Sequence, residues 1–237
     1  MFKLGDYSLG LFHVPYAIML NSELKLSTQA DKFRAGLDED ARAEFDDFVQ
    51  FLRFRVWSGF HYAEEILESA QEAIEDGMYS ELEDSMDSEL ISNIVEHEIA
   101  VKLEDEKTWP AVTDCDRLSR AFDILNANGI VSLESAGYTI SDGWDEYRDA
   151  VHALELKGMS EPVRGGCFYH EQDLERAVAG NGLQLAYSAA SGNFIETLGL
   201  AKEVVDTLEQ QGLSPAWNGN VEHRIQLPIK WQRRSPR

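Results

Sequence analysis

The stretch from Gly165 to Ala177, GGCFYHEQDLERA, gathers the chain's best candidates for chemistry within a few positions. The apolar run Cys167-Phe168-Tyr169 predicts a strand that ends at His170. A helix is predicted to start at once, with Glu171 and Asp173 in its first turn. Polar side chains at a strand's carboxyl end are where α/β proteins often place their sites. His170, Asp173 and Arg176 follow one another at three-residue steps and can converge on a polar ligand. Histidine titrates near neutral pH and can act as a general base oriented by a carboxylate. A helix N-terminus can help to hold an anion. The same residues also read as a simple cap, with His170 closing the first turn and Glu171 and Asp173 complementing its positive end. Those two acids weaken any attraction for an anionic ligand.

The other constellations are less complete. Cys167-x-x-His170 has ligand-like spacing, but residues three apart on a strand face opposite sides. A structural zinc site needs four ligands, and the second cysteine, Cys115, lies 52 positions upstream. His97-Glu98 begins like the zinc-protease helix motif, yet position 101 is Val. His61 with Glu64, Glu65 and Glu68 reads more simply as a solvated helix face. Neither a metal nor a cofactor is expected. Ser191, Gly192 and Asn193 follow a predicted strand and open a predicted helix, which is the right context for cradling phosphate. They are weak ligand candidates, because the Walker lysine and the dinucleotide glycine spacing are missing. Ser188 and Ser191 lack the flanking glycines of a nucleophile elbow.

The elements that must position these residues fall into two parts, with boundaries at 1–107 and 108–237. In the first part, Phe45, Phe48, Val49, Leu52 and Val56 recur at helical steps, with Gly59 as the break. A second helix is expected from Tyr62 to Gly77 and a third from Ser88 to Leu103. His13-Val14-Pro15 argues for extended geometry near the start. From Thr108 helices and strands alternate. Helices are expected from Thr113 to Asn128, from Ser141 to Gly158, after His170, and from Asn193 to Gln211. Strands are expected at 130–133, 167–170, 183–188, 216–217 and 222–227, with Asn218-Gly219 as a hairpin turn between the last two. The fold class is therefore α/β, with α+β as the alternative. An acidic, mostly helical region precedes a helix-covered sheet of about five strands.

Charge narrows the partners. The formal net charge is −22, and residues 1–107 carry −16 of it. Between Glu64 and Glu106 stand sixteen acids and a single base, Lys102. Nucleic acid and anionic membranes both require a positive surface, so neither is expected as a partner. The segment is either the solvent side of amphipathic helices or a surface that receives a basic protein. The basic residues near position 237, Arg233 and Arg234 among them, are expected to pair with the chain's own acids or with a second copy's. Two cysteines make no disulfide framework, and no signal peptide or membrane span is read. A cytoplasmic location is the expectation.

Three motifs carry a family resemblance. They are Trp109-Pro110 with Thr113-Asp114-Cys115-Asp116-Arg117-Leu118, then Phe168-Tyr169-His170 with Gln172-Asp173 and Glu175-Arg176-Ala177, and finally Trp231-Gln232-Arg233-Arg234. Together, over roughly residues 105–235, they resemble an uncharacterised bacterial domain family. The resemblance implies no activity and supplies no functional residues. The functional expectation is a non-catalytic binding or interaction protein, one that neutralises a basic partner. The alternative is a small-molecule hydrolase or transferase with its site at the His170 junction. Homo-oligomerisation is left open by the sequence.

Overall fold

The computed structural model describes residues 26–158 and 162–236. The geometry expected at His13-Val14-Pro15 lies outside them. Four helices build the first part: α1 (Thr28–Gly36), α2 (Glu39–Ser58), α3 (Ala63–Glu75) and α4 (Ser88–Glu106). Asp38 and Asp87 start α2 and α4, their carboxylates accepting from the Ala41 and Leu90 amides. The predicted apolar stripe of α2 is buried, and Phe45, Phe48 and Leu52 meet Ile66 of α3, Tyr79, Leu82 and Ile94 of α4 in one core. Gly59 ends α2 with φ of 78°. A Cβ there would also stand 2.7 Å from the Arg233 carbonyl oxygen, so both the left-handed turn and the close approach require glycine.

The second part alternates as α5 (Asp114–Ala127), β1 (Ile130–Leu133), α6 (Ile140–Leu156), β2 (Gly165–Phe168), α7 (Glu171–Val178), β3 (Leu183–Ala189), α8 (Phe194–Gln210) and β4 (Ile225–Leu227). The sheet order is β1-β2-β3-β4. β1 and β2 are parallel, and the other pairs are antiparallel. Leu118, Phe122, Leu174, Leu200, Val204 and Leu208 of the helices bury one face of the sheet against Ile130, Cys167, Leu185 and Ile225. Phe54 of α2 joins this same core. On the opposite face α6 sets Trp144 edge-on against Phe168, with ring centroids 4.8 Å apart. Tyr147 of α6 comes so near β2 that a Cβ on Gly166 would lie 2.5 Å from its ring. The remainder of that face, where Gln184 pairs with Gln226 across β3 and β4, is open to solvent.

The α/β class stands, with two differences in detail. Among the described residues four strands form rather than five, and Ala216 makes only an isolated bridge to Gln226. Asn218-Gly219 is not a two-residue hairpin. The segment from Trp217 to Arg224 instead wraps over Tyr187, whose hydroxyl donates to the Asn220 and His223 carbonyls at 3.3 and 2.8 Å. The cap of α6 is Thr139 rather than Ser141. Its hydroxyl accepts from the Asp142 amide while the Asp142 carboxylate accepts from the Thr139 amide, a reciprocal box that fixes the start two residues earlier.

Beyond β4 the chain crosses back over both parts. The Trp231 indole donates to the Ser58 carbonyl at 3.1 Å, and the Gln232 amide meets the Cys115 thiol at 3.2 Å. Arg233 lies over the Phe60 ring, 3.9 Å from its centroid, and pairs with Glu134 at 2.7 Å. Arg234 reaches Asp116 at 3.3 Å, and Ser235 binds Glu106 at the end of α4. The expectation that these arginines meet the chain's own acids is met. The three sequence motifs are thereby brought to one seam, where Tyr169 also packs edge-on against Trp231.

Candidate functional site

His170 stands at the carboxyl end of β2, one residue before α7. Its backbone is extended, with φ −99° and ψ 174°, and its Nδ1 accepts from the Asp173 amide at 3.3 Å. An accepting Nδ1 places the ring proton on Nε2, and that nitrogen lies 3.1 Å from Asp173 Oδ2. The Arg224 guanidinium also lies 3.3 Å from Nε2, so the two ring nitrogens are met by Asp173 and Arg224 together. Only 6% of His170 is exposed. Burial pushes its pKa below the usual histidine value, against the pull of Asp173, so the ring is neutral at pH 7.

Asp173 is the hinge of the cluster. It is 1% exposed and accepts from the Arg224 guanidinium at 2.8 and 3.0 Å. Burial pushes its carboxyl up from the ordinary aspartate range, while His170 and Arg224 pull it back. Arg224 also donates to the Gln184 side chain on β3. The arrangement is a closed chain of donors and acceptors, with the positive charge cancelled by the negative one.

Among the sequence candidates, His170 and Asp173 come together and Arg176 does not. Arg176 is exposed on the outer side of α7, and the arginine that completes the group is Arg224. No local signal marks that pairing, because Arg224 reaches Asp173 across 51 positions from the open face of the sheet. Ser191, Gly192 and Asn193 form an exposed turn closed on itself. Asn193 Oδ1 accepts from the Ile195 and Glu196 amides, and the Ser191 hydroxyl donates to the Glu196 carboxylate. The amides that would cradle a phosphate are already satisfied, and a carboxylate stands in their place.

Cys167 faces the apolar core, where burial pushes its thiol up to about 12. Among the described residues no three His, Cys, Asp or Glu side chains are grouped to hold a metal.

Two buried ionisable groups at the joint between the parts had no signal in the sequence. Lys102 is fully buried, donates to the Val56 carbonyl at 3.0 Å, and is lowered to about 8 by burial. Glu175 of α7 is 6% exposed, and its Oε1 has no hydrogen-bond partner among the described residues. Burial, and secondarily Glu171, raise its carboxyl to about 8, while Arg55 of α2 opposes the shift.

No helix among the described residues is long and apolar enough to cross a membrane. No curated protein and no solved structure matches the chain. One family model does match, over residues 39–235, and so spans both the helical part and the sheet. The chain belongs to the family described as Domain of unknown function (DUF6891), as its three motifs led one to expect of an uncharacterised domain.

Proposed function

We propose that this protein is a non-catalytic interaction protein that receives a basic protein partner on the acidic surface of α3, the following turn and α4. The observation that carries the reading is the fate of the sixteen acids between Glu64 and Glu106. Fourteen of them are exposed, and the single base in the segment, Lys102, is fully buried. Glu98 is turned inward to Arg53 at 3.2 Å, and Glu106 is tied to the C-terminal segment. Within this segment every exposed charge is therefore negative. Such a surface steers a cation-rich partner and repels nucleic acid. A second reading, a hydrolase or transferase at the His170 junction, draws on a 640 Å³ cleft beside Arg224. Against it, neither nitrogen of His170 is free to take a substrate proton.

The test is chemical cross-linking of the protein in its own cells, followed by rate measurements with the partner found. A variant with Glu81→Gln, Glu83→Gln, Asp84→Asn and Asp87→Asn keeps the fold, since asparagine caps α4 as well as aspartate does. Association of the parent is expected to accelerate as salt is lowered, and association of the variant to be slower and flatter with salt. Equal rates for both at all salt concentrations would reject the acidic surface as the docking site.

A further inference from the structure

Beyond β4 the segment from Lys230 to Ser235 forms no helix and no strand, and it lies across both parts of the molecule. We propose that this segment exchanges between two copies of the chain, so that each copy's residues 230–235 fill the other's seam in a symmetric dimer. The inference does not rest on the acidic docking surface of α3 and α4.

The seam is complementary to this one occupant. Buried Ser58 and Cys115 receive the Trp231 indole and the Gln232 amide. Phe60 receives the Arg233 guanidinium on its ring. Four carboxylates stand around them. Asp114 accepts from the Lys230 amide at 3.2 Å, Glu134 and Asp116 pair with Arg233 and Arg234, and Glu106 accepts from Ser235. Residues 230–237 in turn hold four bases and no acid, in a chain of 43 acids and 21 bases. A second copy brings the same segment, so it brings the whole fit with it. Exchange of an identical element is a low-cost route to a dimer for that reason.

The hinge is short and stiff. Ile229 is buried in the core of the sheet and stays with its own copy, while Lys230 beside it is exposed. Pro228 fixes its own φ and holds Leu227 extended, so little of the approach can bend. Short, strained hinges invite exchange. The crossing from one copy to the other therefore falls at Lys230, and the contacts of the seam are kept. The dimer costs the translational freedom of one copy, so its share rises with protein concentration. The two bodies repel through their charges of −22, but salt screens that repulsion over about 8 Å while the ion pairs of the seam act at contact.

In the test, Glu134→Arg and Arg233→Glu are made as separate variants. Either one alone sets like charges against each other, whether its segment is closed or exchanged with its own kind. Exchange between the two variants matches both seams, one by the parent's pair and one by the reversed pair. The variants are unfolded in urea, refolded singly or as an equal mixture, and measured by light scattering after size-exclusion chromatography. The mixture is expected to give a dimer of one copy of each, about tenfold or more above the dimer from either alone. The chain carrying both substitutions should refold like the parent, which shows that the seam tolerates them. A further variant leaves the seam unchanged. A short Gly-Ser insertion after Lys230 frees the hinge, and it should abolish the dimer that the parent forms on refolding at high concentration. A mixture no more dimeric than its components, a mixed dimer that survives deletion of residues 230–235 from both variants, or a parent that refolds as a monomer at every concentration would each overturn the proposal.

Discussion

Two polar regions of this molecule use charge in opposite ways. Around His170, a buried histidine and a buried aspartate are paired with each other and with a half-buried arginine. Along α3, the following turn and α4, fourteen acids stand in solvent with no exposed base among them in that segment. The first arrangement holds the fold, because a buried charge is tolerated only with partners. The second contributes little to the fold, because exposed charges are screened and solvated. The residue types that look catalytic therefore sit in the paired region, and the plainest acids sit in the one facing outward.

The largest loss should come from breaking the paired region at its hinge. Asp173→Ala strands Arg224 and leaves the α7 cap without its carboxylate. It should lower stability by about 3 kcal/mol in urea unfolding. A loss below about 1 kcal/mol would show that the cluster is not structural, and the contrast between the two regions would fall.

Glu175 sharpens the contrast through pH. Its folded pKa, about 8, lies above its unfolded value, so the folded state binds the extra proton between pH 4.5 and 8. Its stabilising contribution is full below pH 4.5 and is lost as pH rises toward 8. Glu175→Gln should therefore match the parent near pH 4.5 and exceed it by up to about 4 kcal/mol near pH 8. Unfolding midpoints that track the parent across this window would remove Glu175 as the source. Lys102 acts above that window. Lowered to about 8, it favours the unfolded state until pH passes its ordinary value of 10.5, so stability should recover from pH 8 upward.

The smallest change is expected at His170 itself. His170→Ala removes a cap and should cost about 1 kcal/mol at neutral pH. Because burial lowers the ring's pKa, the parent's advantage should shrink as pH falls below the unfolded histidine value. A variant as stable as the parent, with a ligand seated against position 170, would return the junction to catalysis.

Much of this architecture was legible because it is written locally. Helical steps gave α2, α3, α4, α5 and α8, and Gly59 and Gly212 marked where two of them stop. The cap at His170 was legible for the same reason, since capping joins residues three apart. What escaped the sequence is contact between distant positions. Arg176 is the arginine that spacing offers, but Arg224 is the one the sheet delivers. Lys102 lies amid acids in the sequence, yet packing carries it to the Val56 carbonyl. The fifth strand failed for a related reason, because Tyr187 organises the Trp217–Arg224 loop from another strand.

The segment from Ile229 to Ser235 also sets an order of events during synthesis. Trp231 joins Ser58 across 173 positions, and Ser235 joins Glu106 across 129. Every residue it fastens leaves the ribosome before it does. The helical body can form its own core early, but Phe60, Cys115 and Glu134 wait for their partners until this stretch emerges. A pause in translation shortly before position 229 would hold the nascent chain with that seam exposed, which is the interval when a chaperone has most to protect.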